Sequence, residues 1–229
     1  MVSRIAQKLA LNAKQPQNGF WGSLVGAAFL RNGNLEKTCF ELLESLPEHK
    51  VLCVGFNRAI GLEFALSKQQ YPGKVFGIDH SELMCKLACE KLRHHIDNDE
   101  LTILCESVHE MSIPDNSIDR IFHTNCHVFW DDIDKSCEEL YRVLKPGGKM
   151  VSLARYNRLR LQQKFGFLNS SPITSGFYIG SLIAMGFDDI RVKNVKVMNK
   201  FSKACAVYAS KPILTAEKNS FSTSSEKSS

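Results

Sequence analysis

The sequence has no apolar run of about 18 residues or more, the length that a transmembrane helix requires. Its start also lacks the apolar core and small-residue cleavage site of a secretory signal peptide. These absences predict a cytoplasmic protein without a membrane span. One alternative remains open, because Arg4, Lys8, Lys14 and Arg31 precede the first acidic residue, Glu36. A basic, acid-free N-terminus of this kind also suits a mitochondrial transit peptide.

No pair of cysteines is spaced C-x-x-C, although the chain has 8 cysteines. No set of cysteine and histidine residues has the spacing of a zinc site, so we expect no metal. Several cysteines lie within apolar runs, where the side chain behaves as a small hydrophobic group. Without a secretion signal, we expect reduced thiols rather than disulfides. The cysteines are at positions 39, 53, 85, 89, 105, 126, 137 and 205.

A large excess of one charge is also missing. The chain has 29 Lys and Arg against 24 Asp and Glu, a formal net charge of +5. Binding to nucleic acid needs a clustered basic stripe, so no nucleic-acid partner is expected. The densest basic stretch contains Arg155, Arg158, Arg160 and Lys164. It either meets an acidic partner or forms a solvated surface, and the mild charge favours the solvated surface.

The length of 229 residues suits one large α/β domain with two flanking segments. We assign residues 35–212 to this domain. Residues 1–34 are predicted to form a helical extension packed on it, because Phe20, Trp21 and Phe29 are too apolar for a free tail. Residues 213–229 are rich in Ser, Lys and Glu, cannot bury enough apolar surface to fold, and are predicted to form a disordered tail.

Short apolar runs alternate with amphipathic stretches along the domain. The runs predict buried strands, and apolar repeats of three and four residues predict helices. The last two strands follow each other without a helix and should pair as an antiparallel hairpin. The predicted strands are residues 50–55, 74–79, 101–105, 117–124, 149–153, 190–197 and 204–210, and the predicted helices are residues 35–46, 59–67, 81–94, 131–144 and 174–185.

Strands that alternate with helices favour a mostly parallel sheet covered by helices on both faces. The predicted fold class is therefore α/β, with a doubly wound, seven-stranded, mostly parallel sheet and a C-terminal antiparallel hairpin. Pro146-Gly147-Gly148 is predicted to form a turn before the fifth strand. The basic and aromatic stretch after Tyr156 is predicted to be a connection.

Three loops predicted at the carboxyl ends of strands carry the candidate binding residues. The turn from Gly55 to Gly61 has small residues that let a ligand lie against the backbone, before a helix N-terminus that attracts negative charge. Asp79 ends the second strand, where an acidic side chain accepts hydrogen bonds from the ribose of an adenosine ligand. Ser81 is better placed than Asp79 to cap the following helix. With residues 106–108, these loops should form one crevice.

Five segments, taken in order, make the sequence recognisable. They are V-L-C-V-G-F-N-R-A-I-G, V-F-G-I-D-H-S, S-I-P-D-N-S-I-D-R-I-F, E-E-L-Y-R-V-L-K-P-G-G-K-M and A-M-G-F-D-D-I-R-V. In their order and spacing the chain resembles the class I S-adenosylmethionine (SAM)-dependent methyltransferases, specifically the type 11 group. The resemblance covers roughly residues 35–212. It implies a Rossmann-like methyltransferase fold, SAM as cofactor and a small molecule as methyl acceptor.

By position, the resemblance assigns each candidate residue to a part of SAM. The turn that contains Gly55, Asn57 and Ala59 would face the methionine part. Asp79 would hold the ribose, with His80 beside it. The remaining assignments are Ser107 and Val108 at the adenine edge, and His123, Thr124 and Asn125 under the methionine and the transferable methyl group.

The chain departs from the usual family pattern at four positions. Cys53 stands where an acidic residue is usual, and Asn57 and Ala59 replace glycines. Ser107 takes a position that is often Asp. Asn tolerates a left-handed backbone better than most residues, and Ala is small, so the turn from Gly55 to Gly61 can keep its conformation. These departures leave a second reading open, a methyltransferase-like binding protein with little or no SAM binding and no catalysis.

Methyl transfer from a sulfonium needs mainly placement, because the leaving group is already good. His127 is the candidate base, since it follows the fourth predicted strand on the crevice side and its ordinary pKa suits the task. It could equally be a structural histidine at the start of a helix. Tyr156 is a candidate for the acceptor pocket. The aromatic residues that could form apolar walls are Phe20, Trp21, Phe129, Trp130 and residues 165–167.

A nicotinamide-dependent reductase is a third reading, and the sequence argues against it. The strict G-x-G-x-x-G motif would need glycine in place of Asn57 and Ile60. The C-terminal hairpin also does not belong to that fold.

Overall fold

The computed structural model describes residues 33–164, 173–197 and 202–213. The extension predicted for residues 1–34 and the tail predicted for residues 213–229 lie almost entirely outside the described residues, and both stay predictions. Phe20, Trp21 and residues 165–167 are also outside them. Within the described ranges, no helix combines the length and the apolar composition needed to cross a bilayer.

Seven strands form one sheet, as the sequence predicts. They are β1 (Lys50–Val54), β2 (Lys74–Ile78), β3 (Leu101–Leu104), β4 (Ile118–Thr124), β5 (Leu144–Ala154), β6 (Asp188–Lys196) and β7 (Lys203–Ser210). Their order is β3-β2-β1-β4-β5-β7-β6. The first five strands are parallel, and β7 lies antiparallel between β5 and β6. This topology confirms the mostly parallel sheet with a C-terminal antiparallel hairpin.

Helices cover both faces of the sheet and bury its apolar side chains. They are α1 (Gly33–Leu42), α2 (Ile60–Leu66), α3 (Glu82–Lys91), α4 (Arg93–Asp97), α5 (Ile133–Val143), α6 (Tyr156–Lys164) and α7 (Ser175–Ala184), with a 3₁₀ turn at Cys126–Phe129. Successive residues of a strand point to opposite faces. In β4, Phe122 packs with Phe40 of α1, and its neighbour Ile121 lies in the cluster that contains Tyr178 of α7.

The structure corrects several predicted boundaries. β5 begins at Leu144 rather than residue 149, because Leu144 pairs with Ile118 and the Gly147 N–H donates to the Lys211 carbonyl. The predicted turn at residues 146–148 is therefore part of the strand. The connection after Tyr156 is the helix α6, which buries Leu159.

Two further corrections concern the ends of predicted elements. The helix predicted at residues 81–94 is divided into α3 and α4, because Leu92 leaves the helical backbone region with φ −111° and ψ 20°. The helix predicted at residues 35–46 ends at Leu42. Glu44, two residues further on, has φ 50°, outside the right-handed helical region.

Candidate functional site

An open cavity of about 250 Å³ lies at the carboxyl ends of β1 to β4. Its lining includes four acidic side chains, from Glu36, Asp79, Glu106 and Asp131, and no Lys or Arg among the described residues. Most of the predicted binding residues also line it. They are Gly55, Asn57, Asp79, His80, Ser107, Val108, Thr124 and Asn125. The predicted crevice therefore exists, and it carries negative charge.

The turn after β1 keeps its shape although two of its residues are not glycine. Gly55, Asn57 and Ala59 all have positive φ, at 66°, 52° and 61°. A Cβ at position 55 would lie 2.9 Å from the Cβ of Cys126, so glycine is required there for space as well as for conformation. Ala59 is 1% exposed and does not line the cavity, so its side chain packs in the core.

Asp79 joins this turn to the start of α3. Its Oδ2 accepts a hydrogen bond from the Asn57 N–H at 3.0 Å, and its Oδ1 accepts one from the Ser81 N–H at 3.0 Å. The Ser81 side chain accepts from the Met84 N–H, so Ser81 is the helix cap, as predicted. Burial raises the pKa of Asp79, and the two backbone hydrogen bonds and His80 oppose that rise.

The residues predicted at the adenine edge lie on the loop after β3. The Ser107 hydroxyl is 3.2 Å from His109 Nδ1 and accepts a hydrogen bond from the His109 N–H. Val108 is 8% exposed and supplies an apolar surface. Glu106, which belongs to the predicted loop of residues 106–108, also lines the cavity, and so does His109, which the sequence patterns did not single out.

Thr124 and Asn125 form the floor of the cavity at the end of β4. Asn125 has φ 57°, and its Oδ1 accepts a hydrogen bond from the Arg155 N–H at 2.9 Å. This bond ties the end of β4 to the end of β5, so the Asn125 side chain is held in place. Phe129 and Trp130 follow and contribute apolar surface to the lining.

Glu36 was not among the predicted site residues. It comes from α1, is 4% exposed, and accepts a hydrogen bond from the Gly61 N–H at 2.7 Å. Burial raises its pKa to about 7. Glu36 lies 25 positions before Gly61, and its helix has an ordinary amphipathic pattern. No sequence signal separates it from a surface acid, and only the packing of α1 on α2 brings it to the cavity.

His123 and His127 do not line the cavity. His123 is fully buried, and its Nε2 is 2.7 Å from the Tyr178 hydroxyl. The His127 ring stacks on Tyr178 with 4.8 Å between centroids, and its Nε2 is 3.1 Å from the Tyr156 hydroxyl. Burial lowers the pKa of His127 to about 4 and that of His123 well below its usual value. Both rings are therefore neutral at neutral pH, and a role for His127 as base stays a prediction.

Buried neutral histidines make stability depend on pH. Because the pKa of His127 is lowered from 6.5 to about 4 on folding, its contribution is complete above pH 6.5 and is lost as the pH falls toward 4. We expect this loss to reach about 3 kcal/mol near pH 4. His127→Gln should therefore show a smaller decrease in melting temperature than the wild type between these pH values. The exposed His94→Gln is the control, and equal slopes for wild type and His127→Gln would contradict the expectation.

Comparisons with known proteins agree with this architecture. Residues 52–152 match the model of a family described as Methyltransferase domain. An uncharacterized methyltransferase, YdaC of Bacillus subtilis, is 28% identical over 152 residues, which is 64% of this chain and 76% of that protein. Demethylmenaquinone methyltransferase of Symbiobacterium thermophilum is 30% identical over 95 residues, which is 42% of this chain and 38% of that enzyme.

A solved structure shows the shared fold. It is phosphoethanolamine N-methyltransferase 2 of Haemonchus contortus, in complex with phosphomonomethylethanolamine and S-adenosylhomocysteine. It superposes with a TM-score of 0.63 at 20% identity, over 80% of this chain and 53% of that one. The sheet and its C-terminal hairpin are thus those of a Rossmann-like methyltransferase fold.

Proposed function

We propose that this chain, whose residues 52–152 match the model of the methyltransferase domain family, is a SAM-dependent methyltransferase that acts on a small molecule. The observation that carries the proposal is the acidic cavity at the carboxyl ends of the parallel strands. Open α/β sheets bind their ligands at this edge. A family match and a fold do not by themselves identify the ligand. The negative charge of the cavity reduces the range of ligands that fit.

The charge of the cavity fits SAM and does not fit a dinucleotide. SAM has a positive sulfonium, a positive ammonium and one carboxylate, so it carries a net positive charge. A nicotinamide dinucleotide carries a negative pyrophosphate, which would meet carboxylates from Glu36, Asp79 and Asp131 here. Like charges at short range repel, and the described lining offers no Lys or Arg to offset them. This argues further against the reductase reading.

Along the sheet edge, from β3 to β4, the lining residues would contact the adenine, the ribose and the methionine part of SAM in that order. Ser107 and Val108 would contact the adenine, and Asp79 with His80 would contact the ribose. The Gly55 turn, Asn57, Thr124 and Asn125 would then hold the methionine part. The order follows the strands, because β3, β2, β1 and β4 are neighbours in the sheet.

The chemistry itself needs placement more than acid or base catalysis. When bound, SAM supplies a methyl group on a positively charged sulfur that leaves as a neutral thioether. The side chains of Thr124 and Asn125 form a floor that the Arg155 N–H holds rigid through Asn125. Trp130 and Phe129 line the cavity with apolar surface, which would reduce the access of water to the reacting centre once the ligands are bound. A rigid polar surface and an adjacent apolar surface favour an in-line approach of the acceptor.

Two relatives support a small molecule as the acceptor. One is named for demethylmenaquinone, and the other is bound to phosphomonomethylethanolamine. Both compounds are small molecules, which supports a small molecule as the acceptor of this chain. Their chemistry differs, so they do not identify that acceptor.

Calorimetry and thermal shift with SAM and S-adenosylhomocysteine test the proposal. Ligand at about 100 times its Kd should stabilise the protein by about 2.7 kcal/mol. For a chain of this length that is a rise in melting temperature of about 5–10 °C. NADH serves as the control ligand and should give no shift. An absence of heat and shift with both SAM and S-adenosylhomocysteine would contradict the proposal. Binding without methyl transfer to any compound of a metabolite extract would favour the noncatalytic reading.

A further inference from the structure

Glu36 is a buried carboxylate that lines the cavity, and none of the SAM contacts proposed so far involves it. Its Oε2 accepts the hydrogen bond from the Gly61 N–H, and no described residue donates to its Oε1. Asp79 binds the N–H of Asn57, near the other end of the same turn. The turn after β1 is therefore held between two carboxylates, one near each end.

The position of Glu36 along the sheet edge separates it from the ribose side. Its helix, α1, packs on α2, β4 and β5. Asp79 instead follows β2, which lies on the β3 side of the turn. If Asp79 contacts the ribose, Glu36 therefore lies toward the β4 floor, where the methionine part of SAM would be placed.

Burying a carboxylate without a cation is unfavourable, and Glu36 forms no ion pair within the part of the chain that the structure describes. Among the described residues, the positive charge of Lys91 on α3 lowers the pKa of Glu36, but Lys91 is half-exposed and forms an ion pair with Glu63 at 2.8 Å. Asp79 acts in the opposite direction, since its negative charge raises the pKa of Glu36. The thiols of Cys39 and Cys53, on α1 and β1, are buried and uncharged because burial raises their pKa values. A cation supplied by a ligand would satisfy this carboxylate.

We infer that Glu36 binds the α-ammonium group of the methionine part of SAM. The inference rests on the proposed function and adds a contact from outside residues 52–152, the region that matches the family model. Glu36 would act as a binding residue that selects ligands with an amino-acid part, and it takes no part in the methyl transfer itself. Cys53, at the end of β1, offers no carboxylate for this purpose.

Two ligands that differ in the amino-acid part test this contact. S-adenosylhomocysteine has the ammonium, and 5′-methylthioadenosine has the same adenosine and thioether without it. Glu36→Gln keeps the shape of the side chain and an oxygen for the Gly61 N–H, and removes the charge. We expect the Kd of S-adenosylhomocysteine to rise about 10- to 100-fold and that of 5′-methylthioadenosine to change less than about 3-fold. Glu63→Gln, on the exposed face of α2, is the matched control and should change neither Kd.

Proton release gives a second readout that a structural role would not produce. Glu36, with its pKa near 7 before binding, should release a proton when an ammonium binds to it. Calorimetry at about pH 6.5, in two buffers with different ionisation enthalpies, should detect this release for S-adenosylhomocysteine in the wild type. The Glu36→Gln variant should lose that release, although the other titratable groups of the cavity lining remain; they are Asp79, His80, Glu106, His109, Cys126 and Asp131. Affinity for S-adenosylhomocysteine should rise between about pH 6 and pH 8 in the wild type only.

The outcomes separate this inference from the proposed function. Failure of the wild type to bind either ligand contradicts the proposed function. If the wild type binds both ligands and Glu36→Gln weakens them equally, Glu36 only supports the turn and the inference is overturned. Unchanged affinity for S-adenosylhomocysteine in Glu36→Gln overturns it as well.

Discussion

Replacement of Asp79 by Asn is expected to weaken the binding of SAM by about 100- to 1,000-fold. Its carboxylate is 10% exposed and accepts hydrogen bonds from the Asn57 and Ser81 N–H groups. Each carboxylate oxygen has a further lone pair with which to accept a ribose hydroxyl. Charge-assisted hydrogen bonds contribute about 1.5–3 kcal/mol each, and the loss of about 3–4 kcal/mol across two of them corresponds to this fall in affinity. The amide of Asn also replaces one acceptor with a donor, which would face a backbone N–H.

Calorimetry on Asp79→Asn should show parallel losses for S-adenosylhomocysteine and 5′-methylthioadenosine, because both contain the ribose. This pattern differs from the one expected for Glu36→Gln, which spares the second ligand. Asp97→Asn, an exposed acid on α4, is the matched control and should bind like the wild type. Near-ultraviolet circular dichroism checks that Asp79→Asn is folded. A folded variant with wild-type affinity would refute the ribose contact.

Replacement of Phe122 by Ala is expected to cause the largest loss of stability, about 3–5 kcal/mol. Phe122 lies in β4 with no exposed surface and packs edge-to-face on Phe40, with 5.5 Å between ring centroids. It also touches the start of α2, since a Cβ on Gly61 would lie 3.2 Å from its ring. The truncation would leave a cavity between the sheet and two helices, one of which carries Glu36. We expect the melting temperature to fall by about 10 °C or more.

Urea and thermal unfolding of Phe122→Ala measure this loss. The matched control is Phe177→Ala on α7, where 62% of the side chain is exposed. Its effect should stay within about 0.5 kcal/mol, as for other surface substitutions. Equal losses in the two variants would show that the interior around Phe122 relaxes to fill the space.

The main elements of the fold could be predicted from local patterns. The apolar runs of β1 and β2 are nearly continuous because helices cover both faces of a parallel sheet, and continuity of this kind is visible in one sequence. The hairpin of β6 and β7 could be predicted because no helix separates the two strands. The helix α6 could not, because its charged sequence has a weak apolar stripe, and its position depends on contacts of Leu159 with Ile173.

The edge of the sheet at which a ligand would bind could also be predicted in part from local patterns. Asp79 and Ser107 follow parallel strands, and topology alone brings the carboxyl ends of such strands together. The position of His127 could not be predicted, although it follows β4 directly. A 3₁₀ turn directs its ring toward Tyr178 and Tyr156, and this depends on helices more than 25 residues away along the chain. Sequence position specifies the edge of the sheet and leaves the direction of each side chain open.

The α/β class, the strand that precedes Asp79 and the turn that needs Gly55 could all be inferred from the amino-acid sequence alone. These features depend on the periodicity of neighbouring residues and on backbone preferences, which are local. Three features follow instead from tertiary packing: Glu36 reaches the cavity, His123 and His127 are buried away from it, and the lining is acidic. Those features depend on which helix packs on which strand, because burial and distance are properties of segments far apart in the chain.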